Sequence, residues 1–563
     1  MSQAPQFDAI VVGSGITGGF AAKELTERGL KVLVLERGRM VEHGRDYVGE
    51  HLPPWRIPYR GLPLRELYAR DYPVQSTLYA FDETTRHYFV NDRENPYEEG
   101  SGKFLWYRAD VVGGKSLLWG RQTYRFSDLD FEANQRDGHG IDWPIRYADL
   151  APWYDHVERF IGVSGSQEGI PHLPDGQFLP PMELNVMEKT FKARVEAAFP
   201  ERRVIIGRCA VLTVPHNGRG ACHYCGPCQR GCSVGAYFSS QSSTLPAAAR
   251  TGNLTLLPNS VVTRIDYDAK ARRATGVQAV DARTGERRSY TARLIFLCAG
   301  TVATTQLLLA SRSAAFPRGL ANSSGALGHY LMDHTFGTGA VGIFADHPDK
   351  VVFGNRPNGL YIPRFRNLAG DEGLGFVRGY GYQGGALRMG WQGLSRQVPG
   401  FGAEFKAALR RPGPWMVYLS GFGECLPRRE NRIELHPRKK DRFGLPLPVF
   451  HFQWSENERA LMRDVEAQAR LMLERAGAKS VQSWLHESAG GEAIHEMGTA
   501  RMGDDPRQAV LNRYNQAHDV PNLFVTDGAA MTSSSCVNPS LTYMALTARA
   551  ADYAARRLAE GGL

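Results

Sequence analysis

The sequence predicts an α/β fold, α+β overall, built round a Rossmann-like unit at its start, and three observations carry that expectation. A glycine loop, Gly13-Ser14-Gly15-Ile16-Thr17-Gly18, lies between an apolar run and a segment of helical character. An acid, Glu36, closes the next apolar run. The length, 563 residues, exceeds what one core fills and suggests two domains or one elaborated domain.

The elements follow in order. Phe7 to Val12 is β-rich, Gly13 to Gly19 forms the turn, Phe20 to Arg28 is helical, and Lys31 to Glu36 is a second strand. In such a turn Gly13, Gly15 and Gly18 allow the tight bend, the close backbone approach to a pyrophosphate and the close helix–strand packing. Glu36 stands 36 − 15 = 21 residues past the middle glycine, where an acid holds ribose hydroxyls. The loop alone does not separate FAD from NAD. From Pro53 to about Pro96 the chain is rich in Pro, Tyr, Arg and Asp without period, which reads as long surface excursions. Tyr147 to Ile161 alternates acids and aromatics at helical spacing, and Leu254 to Cys298 reads as a run of strands between turn residues. Ser455 with Glu458 forms a capping box ahead of a helix face made of Leu461, Val465, Ala469 and Met472.

Composition narrows the class. With 42% hydrophobic and 22% charged residues, the chain is neither disordered nor collagenous nor a disulfide-packed miniature. Its net charge of +9 is spread among interspersed acids and does not point to nucleic acid. No stretch approaches the ~18 apolar residues of a spanning helix, and the start, MSQAPQF, has no cationic signal-like region. The expectation is a protein not integral to a membrane and without an export signal of its own, either cytoplasmic or exported with a partner.

Four of eight cysteines, Cys222, Cys225, Cys228 and Cys232, follow the spacing C-x2-C-x2-C-x3-C. That spacing lets one loop wrap a metal centre and resembles the bacterial ferredoxin run, although Ser233 replaces the usual proline. Zinc, two disulfides or free thiols are the alternatives. Zinc ribbons separate their cysteine pairs more widely, and disulfides in so crowded a loop would be strained.

Further motifs resemble the glucose–methanol–choline (GMC) oxidoreductases. They are Val112 to Gly120, Trp143-Pro144-Ile145 with Asp149 to Tyr154, Cys298 to Thr301, and Gly325 to Gly328 with Leu331 to His334. The strongest match is the block from His495-Glu496-Met497-Gly498-Thr499 to Asn538-Pro539-Ser540-Leu541-Thr542. The similarity runs nearly end to end and weakens between about 340 and 425. It implies an FAD domain over 1–335, a sheet-based substrate domain over 336–490 that covers the flavin, and a return to the FAD domain over 491–563. It implies FAD contacts from Gly113, Gly114, Ser116 and Trp119, from Val262, and from Asp527, Gly528, Asn538 and Thr542. Some relatives hold flavin covalently through a histidine at the position of Leu118, so non-covalent FAD is expected here.

The resemblance also places a catalytic base at His495 and its partner at Asn538, 538 − 495 = 43 residues on. Alcohol oxidation needs a base tuned near neutrality, and an amide can hold the substrate oxygen without competing for its proton. His334 and His518 are rival bases, and Trp391 and Trp415 are candidates for stacking on a sugar ring. Within the family the chain is most similar to catalytic subunits of bacterial sugar dehydrogenases, glucoside 3-dehydrogenases among them. Four thiolates suit a [4Fe–4S] cluster, whereas these relatives imply a three-ligand [3Fe–4S] one, oxidation at C3 and a small subunit that carries the export signal into the periplasm; a one-electron relay beside the flavin favours a cytochrome, quinone or dye-type acceptor over oxygen. The alternatives are an oxygen-using oxidase or a lyase of the same fold, and a zinc-stabilised binding protein with a vestigial flavin site.

Overall fold

The computed structural model describes residues 6–368, 373–395 and 398–563; Met1 to Pro5, most of the N-terminal segment read above for a signal, lie outside them. A seven-stranded sheet forms the first layer. Its parallel part has the order Leu254–Leu257, Val32–Leu35, Phe7–Val12, Arg287–Leu297. The long strand Arg287–Leu297 serves two partners. Its C-terminal half pairs in parallel with Phe7–Val12 and with Leu523–Val525, while Arg287 to Thr291 joins an antiparallel meander with Arg273–Asp281 and Ser260–Asp268. The last 40 or so residues thus return to the first sheet through Leu523–Val525.

The central strands read as unbroken apolar runs because both faces are covered. Ala9, Val11, Val32 and Val34 pack under the helices Ile16–Glu27 and Ser540–Ala559, and Ile10, Val12, Leu33 and Leu35 enter the main core. Gly13 makes the strand-to-helix turn at φ +96°, where a Cβ would stand 2.5 Å from the carbonyl oxygen of Cys298. Gly18 is needed for packing, since its Cβ would meet the Gly13 carbonyl at 2.0 Å.

The second sheet has six strands in the order Ser480–Trp484, Thr335–Phe344, Trp415–Gly423, Tyr380–Arg388, Leu360–Ile362, Ile205–Ile206. The short pair Ile205–Ile206 and the helix Val186–Ala198 come from the stretch assigned above to the FAD domain, yet they pack with this sheet. Alternation of side chains gives the sheet two characters. Tyr382, Val417 and Leu419 pack on the helix Glu456–Arg475, while Gln383, Tyr418, Ser420 and Phe422 face the other way into a cavity. The helix Glu456–Arg475 starts as its capping box predicts: Glu458 Oε2 accepts from the Ser455 backbone N–H at 2.7 Å, and Ser455 Oγ from that of Asn457 at 3.2 Å.

The stretch from Pro53 to Pro96 is only half a surface excursion. Trp55, Tyr59 and Leu62 are exposed, but Leu78, Phe81, Tyr88 and Phe89 form a core with Tyr107, Leu117 and Leu118. Their irregular spacing hid that burial. No helix among the described residues is long and apolar enough to cross a membrane.

Candidate functional site

A cavity of about 990 Å³ runs from the glycine loop to the open face of the second sheet. Of the residues expected at a cofactor, Gly13, Gly15, Glu36, Gly114, Ser116, Trp119, Val262, Asp527, Gly528 and Asn538 line it. Gly18, Gly113 and Thr542 do not. Gly18 packs on Gly13, Gly113 donates its N–H to Ser14 Oγ at 2.9 Å, and Thr542 Oγ1 shares a 2.8 Å hydrogen bond with Tyr154 Oη in the core.

At one end Glu36 is buried and organises the loop. Its Oε2 accepts from Ser14 N–H at 3.0 Å and Ser14 Oγ at 2.6 Å, and its Oε1 from Gly38 N–H at 2.8 Å. A carboxylate has about four lone-pair sites, so acceptor capacity remains for hydroxyls in the cavity. Burial raises its pKa. Gly15 is the informative glycine: its φ is an ordinary −65°, and a Cβ there would find only the Gly113 carbonyl, 4.0 Å away. Nothing in the protein demands glycine at this lining position, so the missing side chain leaves room for something in the cavity. Ser116 and Trp119 hold the wall together, Ser116 Oγ donating to Gly113 O at 2.6 Å and Trp119 Nε1 to Phe238 O at 3.0 Å. The Asp527 carboxylate is spent on Thr304 Oγ1 at 2.5 Å and on the N–H groups of Gly300 and Ala529 at 2.9 and 3.0 Å. Burial lifts its pKa to about 6. Gly528 is thereby held at the cavity wall.

At the other end the structure brings His495 and Asn538 together across 43 residues of chain. Asn538 Nδ2 lies 3.4 Å from His495 Nε2, and Asn538 Oδ1 accepts from Gln383 Nε2 at 2.7 Å. Behind His495 lies His334, with the two Nδ1 atoms 2.9 Å apart and the rings nearly perpendicular at 79°. His334 Nε2 faces the carbonyls of Ser534 and Ser535 at 3.2 and 2.8 Å. Burial holds the pKa of His334 down, to about 4, and burial with the neighbouring His334 and Lys115 holds that of His495 well below its usual value. Asp333 accepts the backbone N–H groups of His495 and Ala493 at 3.1 and 3.2 Å, and burial pushes its carboxyl up to about 7. Lys115 pairs with Glu496 at 2.9 Å near His495.

Sequence reasoning missed Gln383, Tyr418 and the Lys115–Glu496 pair. Gln383 and Tyr418 lie where family similarity weakens, and the signal that could have found them is the two-residue alternation of their strands. His518 is structural, its Nε2 on Gly503 O at 2.9 Å. Trp415 is fully buried and Trp391 is exposed, and neither lines the cavity.

The cysteine loop departs from expectation. Cys222, Cys225, Cys228 and Cys232 are all free thiols, and among the described residues no three His, Cys, Asp or Glu side chains gather as a metal site. Cys222 and Cys232 pack against the Met182–Val211 core, whereas Cys225 is exposed beyond the turn at Gly226, φ +98°. Burial, with the nearby thiols, pushes Cys222 up to about 11, so that side chain stands as a protonated thiol here. The donor chemistry suits a cluster, but the arrangement does not fit one.

Sequence models of GMC oxidoreductases match residues 7–336 and 427–547. The chain belongs to the GMC oxidoreductase family. This GMC protein is 30% identical to 2-methyl-1,2-propanediol dehydrogenase of Mycolicibacterium austroafricanum, over 99% of this chain and 97% of that one. It is 27% identical to the fructose dehydrogenase large subunit of Gluconobacter japonicus, over 98% of each chain. Its fold matches the crystal structure of pyridoxine 4-oxidase from Mesorbium loti at a TM-score of 0.59 and 16% identity, covering 97% of this chain and 98% of that one. Membership of the GMC family implies FAD, and the residues present fit it. The open space at Gly15, the helix N-terminus behind it, the acceptor capacity of Glu36 and a cavity reaching from there to His495 suit a dinucleotide.

Proposed function

We propose that this protein is an FAD-dependent dehydrogenase that oxidises a hydroxyl of a sugar or glycoside to a ketone, at C3 by resemblance, and delivers electrons to an external acceptor. The observation that carries the reading is the convergence of His495 Nε2 and Asn538 Nδ2 on one point of the cavity wall, 3.4 Å apart. Bound FAD would supply the hydride acceptor that alcohol oxidation requires. The chain supplies the rest. Asn538 Nδ2 donates to the substrate oxygen and orients it, and His495 Nε2 accepts the hydroxyl proton. Gln383 fixes the Asn538 amide by donating to its Oδ1, which leaves Nδ2 to the substrate. On the second sheet Tyr418 and Ser420 offer hydroxyls to a polyol, and Phe422 keeps an apolar surface near the base.

The names of the relatives support a polyol rather than a simple alcohol only in part, since one is a diol dehydrogenase and the other acts on fructose. A small diol is therefore the second reading. Screening glucose, cellobiose, lactose, simple glucosides, fructose and 2-methyl-1,2-propanediol with an artificial acceptor, then locating the carbonyl by NMR, separates the two. Turnover of the diol alone would refute the sugar assignment.

The iron–sulfur relay rests on the cysteine spacing, and no step here depends on it. Iron and sulfide analysis of anaerobically prepared protein tests it, and absence of iron would remove it. A small subunit, a cytochrome-type acceptor and a periplasmic site through co-export complete the proposal, supported by the large-subunit name of the fructose relative.

A further inference from the structure

We propose that His334 is the positioning residue that holds His495 in the one tautomer able to accept a substrate proton, an inference that rests on the catalytic reading above. The carbonyls of Ser534 and Ser535 only accept, so the His334 Nε2 that faces both, at 3.2 and 2.8 Å, carries a hydrogen. His334 is fully buried and none of its hydrogen-bond partners is a carboxylate, so near neutral pH it carries no second proton. Its Nδ1 is then a lone pair. The 2.9 Å contact between the two Nδ1 atoms needs one hydrogen, and only His495 can provide it. With its single hydrogen on Nδ1, neutral His495 turns a bare Nε2 toward Asn538 and the cavity.

The opposite tautomer is disfavoured on both sides. It would set a His495 Nε2–H against the Asn538 N–H, and leave two lone pairs facing at 2.9 Å. The other charged or titratable groups around the base do not replace His334. Asp333 binds backbone N–H groups, Lys115 is tied to Glu496, and among the described residues no other side chain bonds His495 Nδ1. When Nε2 takes the substrate proton, the Nδ1–H bond to His334 becomes charge-assisted and strengthens, so His334 also stabilises the cation that forms.

The test uses the FAD-loaded protein labelled with [15N]histidine, with the His495 signals assigned by their loss in His495→Ala. Near pH 7.5 the expected spectrum shows His495 protonated at Nδ1 and bare at Nε2, and His334 the reverse. A protonated His495 Nε2 overturns the proposal, whether or not any sugar is oxidised. Two variants add the kinetic reading. His334→Gln offers an amide oxygen to His495 and an N–H to the serine carbonyls; His334→Leu offers neither. Flavin reduction by substrate should fall on the order of 100-fold in His334→Leu, with substrate affinity changed less than about 3-fold, and should recover to within about 10-fold in His334→Gln. Equal loss in both variants at normal FAD content, or no loss in His334→Leu, overturns it. If His334→Leu does not fold, the wild-type spectrum still decides.

Discussion

Gly15→Ala and Gly13→Ala separate a glycine kept for the ligand from one kept for the fold. At Gly13 the added methyl would sit 2.5 Å from Cys298 O and 2.9 Å from Cys298 C and Ala299 Cα. All three are backbone atoms, so no rotamer relieves the overlap. The φ of +96° adds about 1–2 kcal/mol for a residue with a Cβ, and displaced packing about 1–3 kcal/mol, together about 2–5 kcal/mol. At Gly15 the backbone is unstrained and the nearest atom is 4.0 Å away, so the FAD-free protein should melt within about 0.5 kcal/mol of the parent. The methyl would instead stand where a pyrophosphate must approach the loop. At about 1–3 kcal/mol for an intruding methyl, FAD binding should weaken by about 5- to 150-fold. Thermal melts of the FAD-free proteins and fluorescence titration with FAD read both quantities. Parental FAD affinity in Gly15→Ala, or a melt as depressed as that of Gly13→Ala, would mean that Gly15 is not kept open for the ligand.

Three further outcomes follow from the same geometry. Gln383→Leu frees the Asn538 amide to rotate, so flavin reduction should slow by about 10-fold with FAD content unchanged; a parental rate would remove Gln383 from the orienting role. Titration of the buried pair should also show in stability. His334, held near 4 against an unfolded 6.5, loses stability as pH falls through that window, by at most about 3 kcal/mol; Asp333, raised from 3.8 to about 7, loses it as pH rises through its own. The two slopes oppose each other, so His334→Gln should gain thermal stability relative to the parent at pH 5 compared with pH 7. An equal difference at both pH values would contradict the assigned shifts. Ser455→Ala should cost about 1 kcal/mol by removing the helix cap, read as a lower melting temperature with unchanged FAD affinity.

The parts of the fold legible in the sequence were those in which local chemistry and tertiary role coincide. The glycine loop, the double-faced strands and the Ser455 cap each satisfy a local rule that their packing then reuses. His495 and Asn538 were legible because their flanking motifs are long, and the fold does set them 3.4 Å apart. Gln383 was not, because one glutamine in a strand says nothing until the strand's neighbours determine which face meets the cavity. From sequence His334 reads as a rival base, and only its distances to His495 and to two serine carbonyls turn it into a partner. The cysteines show the converse. Spacing in sequence counts the thiols available, while the turn at Gly226 and the burial of Cys222 and Cys232 determine where they point.

The proposed activity rests on His495 acting as the base for hydroxyl oxidation beside FAD. Anaerobic stopped-flow reduction of the FAD-loaded His495→Ala protein by the best sugar or glycoside substrate tests it directly. FAD content and substrate affinity should stay parental, with the rate of flavin bleaching lowered by about 10²- to 10⁴-fold. Bleaching at close to the parental rate would contradict it.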